Sequence, residues 1–238
     1  MKETFILLFC SFILICAISL IGSGVKTVFH TTVPSEQNHH IVVIDAGHGG
    51  FDSGKVGVDG TLEKDINLKI AKKLKTLLEA ADVTVVMTRT EDTDLASSNA
   101  SNKKREDMTR RAALMNEAGA DCIVSIHQNS YPQESVAGAQ VFYYTNSASG
   151  STLAALLQKQ FISSVDPSNH RTEKPNDTYY LLKNVSAPVA IVECGFLSNW
   201  AESKKLADDA YQQKLAWAIH LGILQYLNDV TVNSHTSK

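Results

Sequence analysis

The sequence predicts one α/β domain, a twisted and mostly parallel sheet of about six strands with helices on both faces. Three observations carry that expectation. From His40 onward, short β-branched runs alternate with stretches whose apolar residues recur at helical spacing. The strand runs, Ile41-Val42-Val43-Ile44 above all, are apolar at every position, as in strands buried on both faces. The chain has 238 residues, 44% hydrophobic and 20% charged, ordinary values for a globular domain with room for a sizeable core. Those values exclude a disordered chain, a collagen and a polytopic membrane protein. Lys+Arg 22 against Asp+Glu 25 gives a net charge of -3. No nucleic-acid partner is expected, because neutralising phosphates needs a surplus of Lys and Arg.

Taken in order, Phe5 to Ile21 is an uncharged run of 17 residues following Lys2 and Glu3. It reads as an export segment over residues 1–24, either a cleaved signal peptide or a retained membrane anchor. Residues 25–39 lack periodicity and carry Pro34, so they read as a linker. His39 and His40, where it ends, read as a solvated pair. After the first strand, Leu62, Ile66, Ile70, Leu74 and Leu77 mark a helix. Val83 to Met87 is the second strand. Thr90 to Asn102, rich in Asp, Ser, Thr and Asn, reads as an exposed loop and part of a substrate rim. Arg105 to Ala118 is helical, Cys122 to Ile126 is the third strand, and Gln140 to Tyr144 is another. Leu153 to Phe161 is a helix; Tyr179 to Leu182 and Val189 to Val192 read as two further strands. Leu215, Ile219 and Ile223 mark a closing helix that fades before the polar residues at the end. The body is therefore expected over residues 40–230, with a polar tail over 231–238. Cys10 and Cys16 lie in the apolar segment, while Cys122 and Cys194 sit in apolar runs and read as buried free thiols.

In sheets of this class, sites collect at the carboxyl ends of strands. The first strand runs into Asp45-Ala46-Gly47-His48-Gly49-Gly50, the third into His127-Gln128-Asn129, and the last into Glu193-Cys194-Gly195. A further carboxylate, Glu63, opens the first helix. Two imidazoles and a carboxylate, with a fourth position left open, form the donor set of a catalytic zinc. Each residue also has a plainer reading. A single His after a strand is commonly a hydrogen-bonded structural group, and Glu63 could simply complement a helix dipole. Gly47, Gly49 and Gly50 could form only a tight turn. They do not form a dinucleotide-binding loop, since Asp52 stands at the third glycine position. Convergence of the set at neighbouring strand ends favours the metal site.

Four blocks make the pattern recognisable. They are Ile44-Asp45-Ala46-Gly47-His48-Gly49-Gly50, Leu62-Glu63-Lys64-Asp65, Ser125-Ile126-His127-Gln128-Asn129, and Val192-Glu193-Cys194-Gly195-Phe196-Leu197-Ser198-Asn199. In this order they resemble the zinc-dependent N-acetylmuramoyl-L-alanine amidases of the type-3 family, over Ile41 to Tyr226. The resemblance implies one Zn2+ per chain on His48, Glu63 and His127, with Glu193 as the catalytic acid/base. It implies peptidoglycan as substrate and hydrolysis of the amide between N-acetylmuramic acid and L-alanine, in a catalytic domain over 40–230. Ala46 stands where the family often has Pro, and Gln128 where a small residue is common. Met87-Thr88-Arg89, Asp92-Thr93-Asp94-Leu95-Ala96, Gly138-Ala139-Gln140 and Phe142-Tyr143-Tyr144 resemble the narrower germination-specific, spore cortex subgroup. That likeness implies a role in cortex maturation leading to muramic-δ-lactam, at the forespore envelope. A general vegetative wall amidase is the alternative.

Asp45 and Asn129 are candidates either for holding the metal ligands or for touching substrate. Arg111 could pair with a substrate carboxylate, but on so charged a helix a solvated Arg is the favoured reading. An exported wall enzyme would lie beyond the cytoplasmic membrane, touching it through residues 1–24 if they are uncleaved, with either a protein partner or that anchor supplying targeting. Two other classes compete. A thiol hydrolase would use Cys194, but the neighbouring Glu193 anion and the apolar strand raise a thiol pKa instead of lowering it. A non-catalytic wall-binding module needs no complete ligand set with an acid/base residue beside it.

Overall fold

Val42 to Ala46 are buried along the whole of β1 (Ile41–Ala46), and that continuous burial sets the architecture. A computed structural model describes residues 39–236, with side chains through residue 232. The export segment over 1–24 and the linker up to residue 38 lie outside the described residues.

The elements that follow are α1 (Glu63–Glu79), β2 (Thr84–Met87), α2 (Lys103–Glu117), β3 (Cys122–Asn129) and β4 (Gln140–Tyr144). Then come α3 (Ala148–Gln160), β5 (Lys174–Asn176), α4 (Tyr180–Asn184), β6 (Val189–Phe196), α5 (Trp200–Ala207) and α6 (Asp209–Thr236). One π-helical turn, Phe161–Val165, prolongs α3. The strands form one sheet in the order β2-β1-β3-β6-β4-β5. All neighbours run parallel except β4 and β6, which are antiparallel.

The sheet divides the core in two. Val42, Ile44, Val124 and Val192 face a large cluster shared with Ile70 and Leu74 of α1, Leu157 of α3 and Ile219 of α6. Their strand neighbours Val43, Ile123 and Ile191 face a smaller cluster with Met115 of α2 and Leu181 and Leu182 of α4. Alternate residues thus bury on opposite faces, which is why the strand sequences carry no polar alternation.

Three expectations are corrected. Tyr179 to Leu182 is not a strand: Asn176 Oδ1 accepts the Thr178 and Tyr179 backbone N–H groups, each at 2.8 Å, and turns the chain into α4. The apolar pair Leu181-Leu182 is buried as one face of that short helix. The strand is Lys174–Asn176 just before it, an edge position that tolerates Pro175. The closing helix runs to Thr236, beyond the point where its apolar pattern fades. His40 is not simply solvated: its Nδ1 lies 3.2 Å from Asp121 Oδ2, a carboxylate that also accepts the Ile41 N–H. Cys122 and Cys194 are buried and free, as expected.

Candidate active site

β1, β3 and β6 are parallel neighbours, so their carboxyl ends open at one edge of the sheet. His127 and Glu193 are direct partners in the β3–β6 register, and Asp45 stands opposite Ser125 in the β1–β3 register. Strand parity therefore sends Asp45, His127 and Glu193 to the face covered by α2 and α4. Beyond β1 the chain turns sharply. His48 takes a left-handed φ of 62°, uncommon for a residue with a Cβ. Gly47 comes so close to the His127 ring that a Cβ there would collide with it.

Buried cations hold this turn. Arg89 Nε and Arg111 Nη1 both donate to the Ala46 carbonyl at 2.9 Å. Arg89 Nη2 and Asn67 Nδ2 donate to the Gly47 carbonyl, and Arg111 Nη2 donates to the His48 carbonyl at 2.7 Å. Glu63, buried in the first turn of α1, receives both histidines on one oxygen. Its Oε1 lies 2.9 Å from His127 Nδ1 and 3.1 Å from His48 Nε2. Its Oε2 accepts the Lys55 N–H at 2.8 Å. The other nitrogen of His48, Nδ1, pairs with Asp52 Oδ2 at 2.9 Å.

One donor atom from each of His48, Glu63 and His127 lies within 4.8 Å of the others, so the three could hold a metal ion. Burial alone would raise the Glu63 carboxyl, but its bonds to His127 and His48 take it well below the usual carboxylate range. Burial alone would likewise lower His127; the Glu63 bond instead holds it up at about 9. Glu193 differs. Burial pushes its carboxyl up to about 7, and its Oε2 has no hydrogen-bond partner among the described residues. An unsatisfied buried oxygen beside a donor set of two imidazoles and a carboxylate fits a divalent cation, or a polar ligand, close by. Cys194 is pushed up by burial and by the Glu193 anion beside it, which leaves no reactive thiolate.

The cleft over these groups holds cavities of about 320 Å³ and 250 Å³, both bounded by His48, His127, Glu193, Tyr179 and Lys104. Asn129 ends β3 and lines the smaller cavity, its Oδ1 accepting the Ser130 N–H. Arg111 overturns the favoured reading: it is 1% exposed, and its guanidinium pairs with Asp45 Oδ1 at 2.7 Å and Asp107 Oδ2 at 2.8 Å. Asp45 also accepts from the Ser125 and Thr88 hydroxyls. Both residues brace the turn that carries His48.

This network carries a stability prediction. Arg111→Met strands two buried carboxylates and is expected to cost roughly 3–5 kcal/mol in denaturant unfolding. Burial raises the Asp45 pKa, but Arg111, then His127 and the two hydroxyls, more than offset it and hold it at about 2. A carboxyl depressed in the folded state contributes stability above its ordinary pKa of 3.8 and loses it as pH falls through about 2. Wild-type stability should therefore fall between those pH values more steeply than that of Asp45→Asn. Parallel slopes would refute the pairing.

Asp52, Asn67, Arg89 and Tyr179 belong to the site, although the sequence reading gave none of them a role there. Asn67 lies four residues after Glu63 and Asp52 four after His48, spacings that could have flagged them. Arg89 stands two residues after the end of β2, a weaker signal. Tyr179 carried none, because its placement depends on the α4 turn.

Fold and site together define a class: an α/β domain with a metal-capable centre at the carboxyl ends of its parallel strands. The chain belongs to the N-acetylmuramoyl-L-alanine amidase family (Amidase_3), whose model matches residues 42–225. It is a peptidoglycan amidase. It is 37% identical over 192 residues to the germination-specific N-acetylmuramoyl-L-alanine amidase of Bacillus subtilis, covering 79% of this chain and 80% of that one. The structure is similar to that of the CwlD amidase from Clostridioides difficile, solved in complex with the GerS lipoprotein. There the TM-score is 0.77 and the identity 40%, covering 79% of this chain and 98% of that one. A second N-acetylmuramoyl-L-alanine amidase, from Clostridium difficile 630, matches with a TM-score of 0.72 and 35% identity, covering 80% and 98%.

Proposed function

We propose that His48, Glu63 and His127 hold one zinc ion and that Glu193 is the acid/base for cleavage between N-acetylmuramic acid and L-alanine. The observation that carries this reading is Glu193 Oε2, buried and unpartnered beside the three converging donors. Zinc bound there would act as a Lewis acid toward the scissile carbonyl and the attacking water. Glu193 takes a proton from that water and passes it to the departing alanine nitrogen, a role typically worth 10²–10⁴-fold. Burial holds its carboxyl above the usual carboxylate range, the direction a group needs if it is to give a proton back as well as take one. Asp52 orients His48 through Nδ1, leaving Nε2 directed at Glu63 and the centre. Asp45 and Arg111 act on the same turn from below.

The biological setting in this reading is spore cortex maturation outside the cytoplasmic membrane, reached through residues 1–24. The likeness to a germination-specific amidase supports it. Similarity to an amidase solved with a lipoprotein supports a protein partner as well. Among the described residues, no helix is long and apolar enough to cross a membrane. Mass spectrometry of muropeptides from spores lacking this protein tests the setting. Loss of muramic-δ-lactam is expected, and normal lactam levels would overturn the cortex role while leaving the amidase activity intact.

A further inference from the structure

We infer that Tyr179 is a further catalytic residue, whose hydroxyl donates a hydrogen bond to the carbonyl oxygen of the scissile amide. The inference rests on the assignment of Glu193 and the three donors above. Tyr179 stands immediately before α4, fixed at its backbone by Asn176. Its ring packs edge-on against Phe142, with centroids 5.6 Å apart. Phe142 is the register partner of Ile191, and Glu193 follows Ile191 on the same face of β6. The ring is thereby held on the face from which Glu193 and His127 project. It bounds both cavities of the cleft, and so do Glu193 and His127.

The hydroxyl of Tyr179 has no hydrogen-bond partner among the described residues, although the side chain is half-buried. A half-buried phenol that packs by its ring and leaves its O–H unspent is suited to a ligand. Burial, then the Glu193 and Glu63 carboxylates, raise its pKa, so it stays a neutral donor at working pH.

Amide hydrolysis supplies a matching acceptor. Attack of water on the carbonyl carbon moves the C=O π pair onto oxygen, and that charge is lost when the C–N bond breaks and the amine departs with a proton. A donor preset toward that oxygen stabilises the transition state more than the ground state. Lys55 and Lys104 also reach the cleft, but each is a flexible cation on a long stem, whereas the phenol is held by its ring.

The test is Tyr179→Phe in the full chain, which keeps the ring and its contact with Phe142. On a soluble muramoyl-peptide the expected result is a kcat lower by roughly 10²–10³-fold with KM little changed. Zinc content and melting temperature should match wild type, since no protein hydrogen bond is lost. A merely structural ring would leave both kinetic constants near wild type, and that outcome overturns the inference. A rise in KM with kcat preserved overturns it too, by making Tyr179 a ground-state binding group. Glu193→Gln measured alongside separates the failures. Loss of turnover there with normal Tyr179→Phe kinetics sinks only this inference, whereas normal turnover in Glu193→Gln sinks the underlying assignment.

Discussion

Glu193→Gln is expected to keep its fold and its metal while turnover of the muramoyl-alanine amide drops by roughly 10²–10⁴-fold. Glutamine preserves the size of the side chain and most of its hydrogen bonding, but it cannot accept a proton at neutral pH. Removing a buried carboxylate whose pKa is already raised to about 7 should not destabilise the domain. Three outcomes are distinct in one variant. Retained zinc with lost turnover supports the acid/base role. Loss of zinc together with activity would make Glu193 a ligand. A fall in stability of about 0.5–2 kcal/mol with chemistry intact would make it a cap. Metal analysis, thermal melting and amide hydrolysis on the same preparation decide between them.

The second large effect is expected at His127. This residue offers Nδ1 to the centre from the end of β3, directly beside Glu193 in the sheet register. His127→Ala removes one of three donors. Loss of groups that only orient ligands already costs 10–100-fold in metal affinity, so loss of a donor should cost at least that. It also strips Glu63 of one of its two imidazole partners and leaves a buried carboxylate less well compensated. Chelator competition should show weaker zinc binding, with activity falling in parallel. A His127→Ala protein that is fully metallated and active would reject the metal assignment.

Much of this site was legible before any tertiary structure. Asp45, His48, His127 and Glu193 follow apolar β-branched runs, and a polar residue after such a run lies in the carboxyl-terminal half of a strand or just beyond it by local pattern alone. Glu63 precedes a strict helical repeat, so its place in the first turn of α1 is a local property as well. Parallel strands share one direction, so their polar ends must open on one side. The alternation of elements and the two-faced burial of the strands were equally local, and the fold class followed from them.

Tertiary structure decided what depends on distant partners. Arg111 sits on a charged helix, where a buried and a solvated arginine look alike; Asp45, 66 positions away, is what buries it. The antiparallel sense of β4 and the conversion of Tyr179 to Leu182 from a strand into the start of α4 hinge on pairing with β6 and on the turn closed by the Asn176 side chain. Arg89 and Asn67 reach the carbonyls of the His48 turn only after β2 and α1 have docked against β1. By itself the sequence determined which residues could do chemistry and at which ends of which elements they lie, because hydrophobic periodicity is encoded residue by residue. The three-dimensional fold alone decided which charges neutralise one another and which side chains face the cleft, because desolvation and register are properties of segments far apart in the chain.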